Sequence, residues 1–132
     1  MKKILIIDDE RITETLCTNL ALLGFNTLLM QDYRNIDNEL KNKYDAIILD
    51  VIMPILDSYF SEEEIEKAHD GLDTGIVLFD KIRKQYPKLP IVFYSARSGI
   101  YCDECTAFIS KPVMVQSIAK IINDLIEKVS NL

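Results

Sequence analysis

Cysteine, basic clusters and long apolar runs are scarce in this 132-residue sequence, and each shortage excludes a class of protein. Three cysteines are too few, and odd in number, for the disulfide framework of a small secreted domain, so we expect free thiols and a cytoplasmic location. A formal net charge of −6 without a basic cluster argues against nucleic acid or an anionic membrane as the main partner. The apolar runs are too short to cross a bilayer, and no signal peptide is expected.

Linkers, internal repeats and low-complexity segments are also missing, so we expect residues 1–132 to form a single domain without an effector domain. A chain of this length buries about two thirds of its unfolded surface, which is enough for one core. The proportions of apolar and charged residues, 48% and 27%, are those of an ordinary globular protein.

What the sequence does contain is an alternation of short β-rich apolar runs with segments whose apolar residues recur every three or four positions. This alternation is typical of an α/β fold in which helices cover both faces of a parallel sheet. Strands are predicted at residues 4–8, 26–30, 46–50, 91–95 and 107–110. The first helix should end at Gly24, a residue suited to a left-handed cap. Its apolar stripe consists of Ile12, Leu16, Leu20 and Leu23. Further helices are predicted at residues 36–40, 76–86 and 114–129.

Polar residues follow four of the predicted strands and indicate a functional site, because ligands of open parallel sheets bind beyond the carboxyl ends of the strands. The residues at these ends are Asp8-Asp9-Glu10, Asp50, Ser95 and Lys111-Pro112. Each of them alone has an ordinary role as a helix cap or a turn residue. Their occurrence together at one edge of the same sheet favours a shared site.

The order and spacing of these residues resemble the receiver domain of two-component response regulators over nearly the whole chain. The residues that carry the resemblance are Asp8-Asp9, Asp50-Val51-Ile52-Met53-Pro54, Ser95-Ala96, Phe108 and Lys111-Pro112. The resemblance implies a flavodoxin-like, doubly wound sheet of five parallel strands in the order 2-1-3-4-5.

The resemblance also implies a role for the acidic residues. Asp50 would accept a phosphoryl group from the phosphohistidine of a histidine kinase or a histidine phosphotransfer protein. Mg²⁺ would be bound directly by Asp9, Asp50 and the backbone carbonyl of Ile52, and through water by Asp8. Hard oxygen ligands without a nearby histidine favour this ion.

The remaining residues of the pattern would act on the phosphoryl group or on the switch. Lys111 would place its charge against a phosphoryl oxygen, and Ser95 would donate to another oxygen after an inward shift of its strand. Phe108 matches the aromatic residue that turns inward with this shift, and Pro112 matches a cis-proline that aims Lys111, although the sequence leaves its isomer open. Such a protein is a signalling switch that catalyses only its own phosphorylation and dephosphorylation, with output through protein–protein interaction or onward phosphorelay.

Other classes fit the same residues less well. A flavodoxin-like electron carrier needs a Ser/Thr/Gly-rich loop after strand one, and a haloacid-dehalogenase-type phosphatase needs an Asp-x-Asp pattern there. A thiol- or metal-responsive module built on Cys102 and Cys105 would have only two ligands in that segment. A pseudo-receiver that binds proteins without being phosphorylated is the other alternative.

Two segments depart from the receiver pattern. An insertion at residues 58–69 precedes the family's third helix, and Ser61-Glu62-Glu63-Glu64 predicts a capped acidic helix over residues 62–68. Only 11 residues separate Ser95 from Ala107, so the family's fourth helix should be missing or reduced to about one turn. The apolar surface that this loss exposes would be covered by a partner effector protein, a second copy of this chain, or Tyr101 folding back locally.

Overall fold

A five-stranded parallel sheet forms the centre of the protein, seen in a computed structural model that describes residues 1–11, 13–56 and 58–132. The strands lie in the order β2-β1-β3-β4-β5. They are β1 (Lys3–Ile7), β2 (Asn26–Met30), β3 (Ala46–Leu49), β4 (Ile91–Ser95) and β5 (Thr106–Ser110). The helices are α1 (Thr13–Leu22), α2 (Ile36–Glu39), α3 (Glu62–Lys67), α4 (Thr74–Gln85) and α5 (Val115–Ser130). The predicted fold class and strand order are confirmed.

The sheet separates two hydrophobic cores, since alternate residues of a strand point to opposite faces. Ile4 and Ile6 of β1 belong to the core that also contains residues of α1 and α5, whereas Leu5 and Ile7 belong to the core on the side of α2 and α4. The two buried faces explain why residues 4–7 of β1 and all of β3 are apolar.

The predicted element boundaries differ from the observed ones by one or a few residues. Asp8 and Asp50 lie just beyond β1 and β3, although their N–H groups still donate to the carbonyls of Met30 and Ile7. Gly24 has φ +98° and ends α1 as predicted. Of the predicted α1 stripe, Leu23 is exposed and does not join the core, and Ile12 lies outside the described residues.

The insertion contains the predicted capped helix, which is α3. Ser61 Oγ accepts the N–H of Glu64 at 3.1 Å, and Glu64 Oε1 accepts the N–H of Ser61 at 2.9 Å. The insertion also packs into the core, because Phe60 is buried against Tyr33 and Ala68 is buried in the same core. It is therefore an integral part of the α2–α4 side of the sheet.

No helix lies between β4 and β5, in a segment (residues 96–105) that the structure describes completely. The guanidinium of Arg83 in α4 holds this segment. Its Nε donates to Asp103 Oδ2 at 2.9 Å, and its Nη2 donates to Thr106 Oγ1 at 2.9 Å. Ile100 and Cys102 pack against the core, where a helix would otherwise cover it. The prediction that Tyr101 folds back to cover this surface is wrong, because its side chain is 82% exposed. None of the described helices is both long and apolar enough to span a membrane.

Candidate functional site

Three carboxylates meet at the carboxyl end of the sheet. Asp8, Asp9 and Asp50 each offer one oxygen atom, and these atoms lie within 4.8 Å of one another. The pairing of Ile7 with Leu49 in adjacent strands explains the convergence, because the next residues of β1 and β3 leave the sheet side by side. Asp8 and Asp50 are buried, whereas Asp9 is exposed. The predicted acidic cluster is thus assembled from two neighbouring strands.

A single ammonium group bridges the two buried carboxylates. Lys111 Nζ lies 2.8 Å from Asp8 Oδ2 and 3.1 Å from Asp50 Oδ2, and 3.7 Å from Glu10 Oε1. Lys111 follows β5 and is anchored there by its N–H, which donates to the carbonyl of Ser95. The peptide bond between Lys111 and Pro112 is cis, which answers the question that the sequence left open.

The charges of the site do not balance. Burial raises the pKa of Asp8 and of Asp9, and the charge of Asp50 raises both further. Burial alone would lower the pKa of Lys111, but its hydrogen bond to Asp8 and the charge of Asp50 raise it overall. Lys111 therefore stays protonated, and its single positive charge cannot balance the three carboxylates of the cluster. An all-oxygen cluster with excess negative charge fits a small hard cation such as Mg²⁺.

The turn after Asp50 is held by the beginning of α4. Thr74 Oγ1 donates to the carbonyl of Met53 at 2.6 Å, and the N–H of Gly75 donates to the carbonyl of Val51 at 2.8 Å. Ile52, the predicted carbonyl ligand, lies on the exposed side of this turn. Sequence reasoning missed Thr74 and Gly75. The available signal was the glycine directly before the helix predicted at residues 76–86, where a residue without a Cβ atom permits a close contact.

The predicted switch residues lie on the neighbouring strands. Ser95 ends β4 and is fully buried, and its Oγ accepts the N–H of Arg97 at 3.2 Å. Phe108 of β5 pairs with Phe93 of β4 and packs partly buried against the core. Ser95 therefore shares the carboxyl end of the sheet with the acidic cluster.

The cysteines do not form a comparable site. All three thiols are free, and Cys105 is buried. Burial raises the pKa of Cys102, which disfavours the thiolate that metal binding and redox chemistry require.

No family model matches the chain. The transcriptional regulatory protein YxdJ of Bacillus subtilis is 30% identical over 101 residues, which make up 75% of this chain and 36% of that protein. A CheY-like response regulator receiver domain protein from Methanospirillum hungatei JF-1 has a TM-score of 0.74 at 16% identity, with 99% of this chain and 98% of that chain covered. The response regulator TrrA from Thermotoga maritima, in complex with Mg²⁺-BeF, has a TM-score of 0.71 at 23% identity, with coverages of 95% and 99%.

These comparisons confirm the resemblance that the sequence indicates. The protein has the CheY-like receiver fold, and its curated sequence relatives include response regulators. The matched region spans 36% of the length of those first relatives.

Proposed function

We propose that this protein is a phosphoryl-accepting switch of a two-component system, with Asp50 as the acceptor. The observation that carries the proposal is the placement of buried Asp50 between two further carboxylates and the ammonium of Lys111, 3.1 Å away. The Asp50 carboxylate would attack the phosphorus of a phosphohistidine. A new O–P bond forms as the P–N bond breaks, and the phosphoryl group becomes an acyl phosphate while the histidine leaves.

Mg²⁺ fits the acidic cluster, and the complex of TrrA with Mg²⁺-BeF supports the same ion for this chain. Asp9, Asp50 and the Ile52 carbonyl would hold it directly, with Asp8 acting through water. The ion supplies positive charge that offsets the repulsion between the carboxylates and the incoming phosphoryl group. Both Asp8 and Asp50 are already held by Lys111, so this chain orients the carboxylates before any ligand arrives.

Lys111 and Ser95 would act on the product. When a phosphoryl oxygen replaces the Asp50 oxygen as a partner of Lys111, the ammonium keeps a charge-assisted hydrogen bond. Ser95 accepts a bond from the N–H of Arg97, so its own hydroxyl proton is free to be donated to a phosphoryl oxygen once β4 shifts. Phe108 would move with that shift. The protein would catalyse only its own phosphorylation and dephosphorylation.

The proposed donor is a histidine kinase or a histidine phosphotransfer protein, and the proposed recipient of the signal is a separate effector protein. The segment without the fourth helix is the candidate output surface, because Tyr101 projects from it into solvent. A second copy of this chain is the other candidate for that surface. A cytoplasmic location belongs to the same proposal, and the free thiols fit a reducing compartment.

The direct test is incubation of the protein with acetyl phosphate, with and without Mg²⁺, followed by intact mass measurement. We expect one acid-labile phosphoryl group per chain, only when Mg²⁺ is present. A protein that takes up no phosphoryl group from acetyl phosphate or from any histidine kinase would instead be a pseudo-receiver.

Asp9→Ala should weaken Mg²⁺ binding by about tenfold or more, since it removes a direct carboxylate ligand. Lys111→Ala should leave Mg²⁺ affinity nearly intact, because the ammonium is not a ligand. The same variant should slow phosphorylation. Calorimetric titration of Mg²⁺ into both variants checks the contrast. Glu62→Gln in exposed α3 is the matched control for a lost carboxylate, and wild-type affinity in Asp9→Ala would remove Asp9 from the ligand set.

Replacement of the two cysteines separates the proposed function from the thiol- or metal-responsive alternative. Replacing Cys102 with Ser and Cys105 with Ser should leave Mg²⁺-dependent labelling within about twofold, which corresponds to less than roughly 0.5 kcal/mol. Cys105 is buried, so Cys105→Ala replaces the second change if the serine variant loses stability. Stoichiometric zinc in the purified protein, lost together with labelling in these variants, would support the metal module instead.

A further inference from the structure

Asp73, at the start of α4, joins the end of the insertion to the loop after β4. Its Oδ2 lies 2.7 Å from Nδ1 of His69, and its Oδ1 accepts a hydrogen bond from Nε of Arg97 at 3.0 Å. Burial alone would raise the pKa of Asp73, but the hydrogen bonds from His69 and Arg97 hold this pKa below its usual value. The carboxylate is therefore charged, and it occupies both of its oxygens with partners from different segments.

Arg97 carries this contact to the proposed switch residue. Its side chain is held by Asp73, and its backbone N–H donates to Ser95 Oγ at 3.2 Å. Nη1 of Arg97 also donates to the carbonyl of Ser98, which fixes the guanidinium within the loop. A change at Asp73 therefore reaches the Ser95 hydroxyl through a single residue.

The insertion side of the contact is held in an uncommon backbone conformation. His69 and Asp70 have φ values of 48° and 57°, in the left-handed region that side chains other than glycine rarely adopt. The next residues are fixed as well, because the carbonyl of Gly71 accepts a hydrogen bond from the N–H of Met53 in the turn after Asp50. The end of the insertion is thus bound both to the Asp50 turn and, through Asp73, to the Ser95 loop.

We propose that Asp73 is a positioning residue for Ser95, which acts through Arg97 and links the insertion to the phosphorylation site. The proposal rests on the proposed function of Asp50 and Ser95. Without the Asp73 carboxylate, the loop after β4 samples more conformations, and Ser95 must be ordered again in each transfer. A partner that binds the insertion would act on the same carboxylate, because His69 contacts the second oxygen of Asp73.

The test is a double-mutant cycle between Asp73 and Ser95, read as the rate constant of labelling by acetyl phosphate and Mg²⁺. We expect Asp73→Asn and Arg97→Gln each to slow labelling roughly fivefold, and Asp73→Asn to have almost no further effect in a Ser95→Ala background. Glu66→Gln, which removes an exposed carboxylate of the insertion, should leave the rate unchanged. An Asp73→Asn effect of equal size with and without Ser95 would overturn the proposal, since a purely structural role lowers both rates alike.

Hydrogen exchange separates this proposal from the proposed function. In the unphosphorylated protein, Asp73→Asn should speed exchange of the Arg97 amide by about tenfold, because the loop opens more often. Unchanged exchange at Arg97 would overturn the positioning role even if Asp50 is phosphorylated. Faster exchange in a protein that never takes up phosphate would retain the link between Asp73 and the loop and reject the proposed function alone. If Asp73→Asn fails to fold, Arg97→Gln replaces it, and the exchange rate of the Ser98 amide serves as the readout of loop opening.

Discussion

Asp50→Asn will abolish the acid-labile phosphate that acetyl phosphate and Mg²⁺ introduce into the wild-type protein, with a fall in labelling of about 100-fold or more. Asparagine keeps the shape of the side chain and an oxygen that accepts the N–H of Val51, now 2.7 Å from Asp50 Oδ1. It cannot supply the anionic oxygen that forms the acyl phosphate. The fold should therefore persist while the chemistry is lost, as circular dichroism and intact mass measurement would show.

One control variant and one contrary outcome define this result. Asp124→Asn removes an exposed carboxylate of α5 and should be labelled like the wild type. If Asp50→Asn takes up as much phosphate as the wild type, with the label mapped to another residue by peptide mass spectrometry, Asp50 is not the acceptor.

Gly75→Ala should destabilise the protein by about 3 kcal/mol, which lowers the midpoint of thermal unfolding by roughly 10 °C. A Cβ atom at this position would press on the Asp50 carbonyl oxygen and lie 2.6 Å from the Cα atom of Val51. Both neighbours are backbone atoms, so neither can swing aside. Any relaxation must displace the turn that carries Asp50, and we expect weaker Mg²⁺ binding as well.

The sign of the Gly75→Ala effect is informative. In a helix with open space around it, alanine would stabilise by about 1 kcal/mol relative to glycine. Urea unfolding of Gly75→Ala should show the opposite sign, whereas Lys84→Ala on the exposed face of the same helix should change stability by less than about 0.5 kcal/mol. A stabilised Gly75→Ala protein would contradict the close contact between α4 and the Asp50 turn.

The α/β class and the composition of the acidic cluster were predictable from local sequence, whereas the strand order 2-1-3-4-5 was implied by the receiver resemblance. Apolar periodicity identifies the strands, and the carboxyl ends of parallel strands share one edge of the sheet. Asp8, Asp9 and Asp50 could therefore be grouped before their distances were known. The Ser61 cap was predictable for the same reason, since the residues of a capping box lie within one helical turn.

The contacts that sequence reasoning missed depend on pairs that are distant along the chain. Arg83 binds Asp103, and Arg97 binds Asp73. Because each pair is more than 15 residues apart along the chain, the sequence alone offers many other possible partners for each charge. The close approach of Gly75 to Asp50 depends on how α4 packs against the β3 turn. Ile100 and Cys102 cover the core, whereas Tyr101 is exposed. This arrangement depends on the path of a ten-residue loop whose sequence has no periodic pattern.

The hydrogen bond between Met53 N–H and the Gly71 carbonyl, 3.1 Å long, closes the insertion at its base. A segment whose two ends are joined in this way, and whose buried residues Phe60 and Ala68 are kept, can change at its solvent-facing positions without altering the distance between β3 and α4. Its solvent-facing residues in α3 are thus a natural attachment point for a fluorophore or a grafted binding peptide. A dye on a cysteine introduced in place of Glu63 would lie one to two helical turns from His69, and its emission would report whether the insertion moves when the proposed phosphorylation takes place.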